Sequence, residues 1–233
     1  MVKLKKKFLG KNISYENGMR LMQKSINFVQ SKCSPCEGEI LFLEYNDTIT
    51  FTKQHGYKHL LVSTHFLKKK NINLIETNRG GDITFHGKGQ LVGYPIIKLP
   101  KFSNSNSKYS VNLGGYIRNL EYALLKSCKE LGVKEPIILK GKTGIWVKTN
   151  DFPKKLISIG IGISNGITRH GFALNINNDF KKFLNYIVPC GLYKMGVTNL
   201  ATIFNNLEKI FYWENICDII SKNLNIFLTA NLK

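Results

Sequence analysis

The 233-residue sequence predicts a protein of the α/β class (α+β type), with helices flanking a mixed, mostly antiparallel sheet. Three observations predict this class. Apolar residues recur at helical spacing in three segments, short apolar runs typical of strands lie between them, and no repeat or Pro/Gly/Ser-rich linker divides the chain. We therefore expect one domain over residues 1–233, with a small C-terminal subdomain as a variant of that arrangement.

Three helices are predicted from the spacing of apolar residues. The first follows Ser14 and presents Met19, Met22, Ile26 and Val29 on one side. The second is capped by Gly132, and its inward face comprises Leu113, Ile117, Leu120, Leu124, Cys128 and Leu131. The third carries Leu207, Ile210, Cys217, Ile220 and Leu224.

The predicted strands are short and apolar. A largely buried strand spans residues 39–45, and polar residues 103–107 form the clearest loop. The remaining strands are expected at residues 83–85, 91–92, 96–97, 144–148, 156–163 and 172–177.

The charge balance is strongly basic, with 34 Lys+Arg against 15 Asp+Glu and a formal net charge of +19. Such a surface attracts an acidic partner, although a genome-wide codon bias toward lysine, asparagine and isoleucine would produce the same excess. No apolar run is long enough for a membrane helix, and no apolar segment with a cleavage site follows basic residues 1–7. The five cysteines, an odd number, favour reduced thiols over a disulfide framework.

The most informative stretch is residues 79–95, RGGDITFHGKGQLVGYP, which holds five glycines, an arginine and a histidine in seventeen residues. Glycines let the backbone turn tightly and let a ligand approach its N–H groups. Arg79 and His86 beside such a backbone predict a site that orients a polar substrate. His170, which also precedes a glycine, is a further candidate for lining a cleft.

Three other segments resemble known binding motifs but match them only in part. Gly141-Lys-Thr143 ends like a phosphate-binding loop, but Pro136 stands where its first glycine belongs. Gly160-Ile-Gly162 begins like a dinucleotide fingerprint, but Asn165 replaces the third glycine. Cys33 and Cys36 followed by His55 and His59 resemble a zinc site, but their gap is long and contains an apolar strand. We expect loop cysteines and surface histidines there.

Cys190 and Lys155 are the candidate catalytic residues. Cys190 lies in a turn between Pro189 and Gly191, where a rigid backbone presents a thiol to a cleft. A thiol reacts as its thiolate and needs a nearby base or cation. Lys155 immediately precedes the apolar run Leu156-Ile-Ser-Ile159, which places it at a strand start facing the interior, with Lys154 in water.

These segments together resemble the octanoyltransferases of lipoate biosynthesis. The likeness covers nearly the whole chain: residues 15–30, Leu43-Glu44, the stretch 79–95, GIWV at 144–147, KLISIG at 155–160, HGFALNIN at 170–177 and PCGL at 189–192, in that order. Two positions depart from the family pattern. Tyr45 stands where the family has histidine, and Lys88 where it has proline.

The resemblance implies the fold of biotin and lipoate protein ligases. It places the acyl-thioester nucleophile on Cys190 and the lysine that activates it on Lys155. It implies a single catalytic domain with no metal, ATP or redox cofactor. The segments that contact the acyl substrate then comprise Arg79, Gly80, Gly81, Asp82, Ile83, Thr84, Phe85, His86, Ser158, Ile159, Gly160, His170, Gly171, Phe172 and Ala173.

The partners follow from the same resemblance. Octanoyl-acyl carrier protein is the expected donor, and the acceptor is a lysine of lipoyl domains or of glycine-cleavage H protein. We expect a soluble monomer in a reducing compartment: a plastid or mitochondrion if the source is eukaryotic, the cytoplasm if it is bacterial. A membrane partner is not expected.

Two rival functions are left open. An ATP-dependent lipoate–protein ligase on the same fold would need no cysteine nucleophile. A basic nucleic-acid-binding protein fits the charge, but the aromatic residues are not interleaved with the basic runs and no recognition motif is present.

Overall fold

The computed structural model describes residues 4–31, 38–100, 111–188, 196–205 and 212–229. The helices and strands of this part are, in order, β1 (Lys5–Ile13), α1 (Tyr15–Gln30), β2 (Gly38–Tyr45), β3 (Thr48–Thr52), α2 (Thr64–Lys69), β4 (Asn73–Thr77), β5 (Thr84–His86), β6 (Gln90–Ile97), α3 (Leu113–Glu130), β7 (Pro136–Leu139), β8 (Lys142–Val147), β9 (Lys154–Ser164), β10 (Ile167–Asn175), α4 (Phe180–Leu184), α5 (Leu200–Ile203) and α6 (Trp213–Thr229).

The strands form two sheets. The larger has the order β1-β2-β6-β10-β9-β8-β7, and each neighbouring pair except β1–β2 is antiparallel. The smaller has the order β4-β3-β5, with β3 and β4 parallel. The predicted mixed, mostly antiparallel sheet flanked by helices is confirmed.

The seven-stranded sheet has two differently covered faces. On the face that we call the helix face, Phe42, Leu91, Leu156 and Leu174 pack in one core with side chains of α3 and α6. On the opposite face, called the cleft face, Leu43, Val92, Tyr94 and Ala173 pack with α1. The small sheet has its own core with α2, and it lies beside the cleft face.

The predicted first helix is confirmed. Ser14 caps α1, because its side chain accepts a hydrogen bond from the backbone N–H of Asn17, and Met22, Ile26 and Val29 are buried beneath the helix. Serine is favoured there because its oxygen satisfies one of the N–H groups that a helix start leaves unpaired.

The predicted inward face of the second helix is wrong at its first position. Leu113 is 39% exposed, and the buried row of α3 runs through Tyr116, Leu120, Leu124 and Cys128 at four-residue spacing. Tyr116 is amphipathic, and its hydroxyl donates to the carbonyl of Pro95. Counting only aliphatic residues therefore placed Leu113 on the inward face and left out Tyr116.

In the third helix, Cys217, Ile220 and Leu224 are buried as predicted, whereas Leu207 and Ile210 lie outside the described residues, as do residues 103–107. The runs at 91–92 and 96–97 are one strand, β6. Gly93 looked like an interruption, but it sits beneath the Phe172 ring, where a Cβ would come within 2.2 Å of Phe172 Cζ.

Candidate active site

A cleft of about 480 Å³ lies on the cleft face, between the strands β6, β10 and β9 and the loop that leads into β5. Apolar groups from Val92, Ile159, Phe172 and Ala173 contribute to its walls. Polar groups come from one end of α1 and from the loop. The remaining lining residues are Tyr15, Arg79, Gly81, Asp82, Thr84, His86, Tyr94, Ser158, Gly160, His170 and Gly171.

Most of the residues predicted to contact substrate therefore line one cleft, and three do not. Gly80 is held against β9, where its N–H donates to the carbonyl of Ile161 at 2.8 Å. Ile83 and Phe85 point into the core of the small sheet, because alternate residues of an extended segment face opposite ways.

Tyr15 and Tyr94 also line the cleft, and sequence reasoning missed both as site residues. The sequence did hold one signal for Tyr94, since on a strand that includes Val92 it occupies the same face two positions later. Tyr15 carried no such signal, because its position depends on how α1 crosses the sheet.

Arg79 organises its own loop. Its guanidinium donates to Thr50 O and Oγ1 at 3.0 Å, to Gly80 O at 3.1 Å and to Asp82 O at 2.5 Å. Glycine is required where this loop crosses β9, because a Cβ on Gly160 would lie 2.8 Å from Gly80 O. Arg79 thus fixes the wall of the cleft in addition to lending it positive charge.

Lys155 faces the interior and Lys154 the solvent, as the sequence predicts. Lys155 is 7% exposed, and its Nζ lies 4.7 Å from the ring centroid of the buried Trp146 on β8. Lys154, one residue earlier, is exposed.

A β-bulge determines which way Lys155 points. Ile145 of β8 pairs with Ile157 of β9, and the next residue of β8, Trp146, pairs with Lys155. One step along β8 therefore corresponds to two steps along β9, which leaves an extra residue on β9. Leu156 and Ile157 accordingly both join the helix-face core. Lys155 therefore shares the cleft face with Ser158, which lines the cleft, although regular alternation would place residues three apart on opposite faces.

Residues 196–198 form a short pairing with Lys155. The N–H of Lys155 donates to Gly196 O, and the N–H of Thr198 donates to Lys155 O, both at 3.0 Å. Cys190, the predicted nucleophile, lies outside the described residues.

His86 is held neutral in one tautomer. Burial lowers the pKa of His86 to about 4. Its Nδ1 is 2.7 Å from Gln90 Oε1, and the amide nitrogen of Gln90 is already committed to Phe85 O and Asn175 Oδ1. Since Oε1 can only accept, Nδ1 carries the proton and Nε2 is the free acceptor.

His170 is also neutral, and its backbone is unusual. Burial and the nearby charges of Arg169 and Arg79 lower the pKa of His170 to about 3. Its φ of 57° lies in the left-handed region, and its Nε2 is 3.0 Å from Asn78 Oδ1. The fold maintains this strained position at the end of the cleft.

Tyr45, the first of the two departures from the family pattern, fills a space that α1 leaves open. Its hydroxyl is 3.0 Å from that of Tyr94, and its ring lies 5.8 Å from the ring of His86. Gly18 on α1 makes the room, because a Cβ there would lie 2.2 Å from Tyr45 Oη. Lys88, the other departure, is exposed.

The candidate zinc histidines have other partners. His59 is buried and pairs with Asp82, so the expectation of a surface histidine is wrong for it, and His55 lies 3.2 Å from Thr52 Oγ1. Cys33 and Cys36 lie outside the described residues. Within the described ranges, no group of His, Cys, Asp and Glu could hold a metal ion.

The two segments that resemble nucleotide-binding motifs do not have the secondary structure of those motifs. Gly141 lies in the turn between β7 and β8, Lys142 and Thr143 begin β8, and Gly160-Ile-Gly162 lies inside β9. A phosphate-binding loop instead joins a strand to a helix. None of the helices in the described ranges is long and apolar enough to cross a membrane.

The chain matches a known class of proteins. The model of the lipoyl protein ligase A/B catalytic domain family matches residues 14–222. This chain therefore belongs to that family.

Its relatives narrow the assignment to the octanoyltransferases. An octanoyltransferase of Clostridium kluyveri is 36% identical over 222 residues, which cover 95% of this chain and 87% of the relative. One of Acidobacterium capsulatum is 38% identical over 191 residues, covering 81% of this chain and 76% of the relative.

Solved structures agree on the fold. A bipartite lipoate protein ligase from Thermoplasma acidophilum has a TM-score of 0.73 at 13% identity, over 98% of this chain and 84% of that one. Lipoate-protein ligase A bound with ATP has a TM-score of 0.66 at 14% identity, over 97% and 84%. The ligase-like fold predicted from the sequence is confirmed.

Proposed function

We propose that this chain is an octanoyltransferase that moves an octanoyl group from acyl carrier protein to a lysine of lipoyl domains or glycine-cleavage H protein. The relatives named octanoyltransferase support this reaction. The observation that carries it is the position of Lys155: a buried amine, turned by a β-bulge onto the face that bears the cleft.

The first half-reaction forms a thioester on Cys190. Lys155 accepts the thiol proton, and the Cys190 thiolate attacks the carbonyl carbon of the octanoyl thioester. Backbone N–H groups of the glycine-rich walls stabilise the oxyanion that develops. The carrier leaves as a thiolate and takes the proton back from Lys155.

The second half-reaction forms the amide. The neutral ε-amine of the acceptor lysine attacks the acyl-enzyme carbonyl, and its surplus proton passes through Lys155 to the departing Cys190 thiolate. Because a thioester is already activated, the sequence of steps requires no ATP, metal or redox cofactor.

The cleft suits a single alkyl chain. Val92 and Ala173 supply apolar side chains from the cleft face, and burial of each methylene of the chain contributes about 0.8 kcal/mol. His86 and His170 border the same space and are both uncharged near neutral pH, so they do not oppose an apolar occupant with a desolvated charge.

The charge of the chain fits the proposed partners. A formal charge of +19 attracts the acidic surfaces expected of acyl carrier proteins and lipoyl domains. We place the enzyme in a reducing compartment, because a catalytic thiol must stay reduced. We also propose that it acts as a monomer.

The test compares two donors with one lipoyl-domain acceptor. With octanoyl-acyl carrier protein and no nucleotide, we expect octanoylated acceptor by mass spectrometry, and with octanoic acid plus ATP and magnesium we expect none. Modification only in the ATP-dependent reaction would identify a lipoate–protein ligase instead.

A further inference from the structure

A second pocket of about 390 Å³ opens beside the cleft, with Thr84 and Ser158 common to both. Val197, which also lines it, forms a β-bridge with Lys155, so this pocket lies at the lysine end of the cleft. Apolar side chains form most of its wall, and three amides line the rest: Phe85, Phe180, Phe183, Leu184 and Ile187, then Gln90, Asn175 and Asn178.

The three side-chain amides form a hydrogen-bond chain that ends at a backbone carbonyl. That carbonyl determines which end of each amide is the oxygen and which is the nitrogen. Thr198 O can only accept, so Asn175 donates to it through Nδ2, at 3.0 Å. Asn175 Oδ1 must then accept, and it does so from Gln90 Nε2 at 2.9 Å and from Asn178 Nδ2 at 3.1 Å. The oxygen Oδ1 of Asn178 is thereby turned away from the network.

That oxygen is an unpaired acceptor. Asn178 is 3% exposed, and its Oδ1 is buried with no hydrogen-bond partner in the structure as described. Native proteins keep few buried acceptors unpaired, and those that occur call for a specific reason. A bound group with an N–H would provide one.

The geometry narrows the class of ligand. The N–H must belong to a narrow chain that passes between apolar side chains and whose reacting end lies near Ser158 and Lys155. An acyl thioester whose sulfur is followed, two carbons later, by a secondary amide has this form. The pantetheine arm on which acyl carrier proteins hold their acyl groups is such a chain.

We propose that this second pocket binds the amide-bearing arm of the acyl donor, with Asn178 Oδ1 accepting the N–H of the amide nearest the thioester. The inference rests on the proposed octanoyl transfer and adds to it a binding site for the leaving group. Asn178 acts on recognition of the donor and takes no part in proton transfer.

The experiment measures acylation of the enzyme without an acceptor, using two small donors. S-octanoyl-N-acetylcysteamine has the amide N–H, and its N-methyl derivative keeps the carbonyl but lacks that hydrogen. For the wild type, we expect the first donor to react about three- to tenfold faster in kcat/KM, the range that one hydrogen bond provides.

In Asn178→Leu, which has a similar volume, the preference between donors should disappear because only the amide donor slows. Asn178→Ala serves if the leucine variant does not fold, and thermal melting checks both. The matched control is Asn177→Leu, one residue earlier and exposed, which should keep the wild-type preference.

The other outcomes contradict either the amide contact or the proposed function. Equal loss on both donors, or no preference in the wild type, overturns the amide contact. So does acylation by octanoyl-acyl carrier protein with no reaction from either small donor. A defect confined to the KM of the acceptor protein would assign the pocket to the acceptor lysine and also overturn it. No acylation by any donor would contradict the proposed function itself.

Discussion

The helix face and the cleft face of the large sheet take alternate residues of the same strands. On the helix face, Leu91, Leu156 and Leu174 pack with α3 and α6, and burial raises the pKa values of Cys128 and Cys217, the thiols in that core, to about 12. On the other side of the sheet, glycines and two neutral histidines border the open cleft, and the buried Lys155 lies on the same cleft face. Burial in the helix-face core thus keeps these two thiols protonated, so they are poor nucleophiles near neutral pH.

The largest expected effect separates two adjacent lysines on opposite faces of β9. Lys155→Ala should slow octanoyl transfer about 10²- to 10⁴-fold, the range for losing a general base. Lys154→Ala should change the rate little, because that side chain is in solvent. Single-turnover acylation measures both, and equal behaviour of the two variants would refute the assignment of Lys155.

On the helix face, Leu124→Ala should lower the free energy of unfolding by about 2–5 kcal/mol, since it leaves a cavity in a closed core. Leu113→Ala, at the exposed start of the same helix, should change that free energy by less than about 0.5 kcal/mol. Urea denaturation provides the values. The rate of transfer by folded Leu124→Ala should stay close to that of the wild type; a large rate loss would show that the two faces are not independent.

Gly18→Ala tests the tyrosine cluster behind the cleft. Alanine is the better helix former, but its Cβ would overlap Tyr45, so we expect a net loss of about 1–3 kcal/mol in stability. In a Tyr45→Leu background most of that loss should vanish, because leucine lacks the tyrosine ring and hydroxyl atoms that the new Cβ would overlap. Additive effects in this double-mutant cycle, measured by urea denaturation, would show that Gly18 has another role.

The smallest expected effect is on how the stability of the fold depends on pH. His86 and His170 have pKa values near 4 and 3 when folded, against 6.5 unfolded, so between these values the unfolded chain binds more protons. Stability should therefore fall as pH drops below 6.5, by about 1.4 kcal/mol per pH unit for each histidine. His170→Asn, which tolerates the left-handed backbone, should reduce that slope by one histidine's share.

The control for the pH experiment is His65→Gln, at an exposed position on α2. Its stability should follow the wild-type dependence on pH in denaturant titrations from pH 7 to 4. If His170→Asn kept the full slope, His170 would not be a buried neutral group.

Much of this fold could be predicted from the sequence, and the omissions have a common cause. The strands with continuous apolar runs, such as β2 and β9, were found. The edge strand β1, with its row of lysines, was missed because charged edge strands resemble loops. The threonine-rich β3 was also missed, since the partners that bury it are distant in the sequence.

The site was predictable in its segments but not in its contacts. Glycine-rich residues 79–95 and the lysine at 155 were identified, yet nothing local indicated the bulge at Leu156 that turns Lys155 toward the cleft. The pair His59–Asp82 and the amide chain from Thr198 to Asn178 join residues far apart in sequence. Such contacts depend on the assembled sheet.

The most direct test of the central claim is the intact mass of the enzyme after mixing with octanoyl-acyl carrier protein in the absence of an acceptor. We predict that the wild type gains one octanoyl group, attached as a thioester to the peptide that contains Cys190, and that Cys190→Ala gains none and transfers none. An octanoyl group found on Cys128 or Cys217 instead, or undiminished transfer by folded Cys190→Ala, would contradict the covalent mechanism.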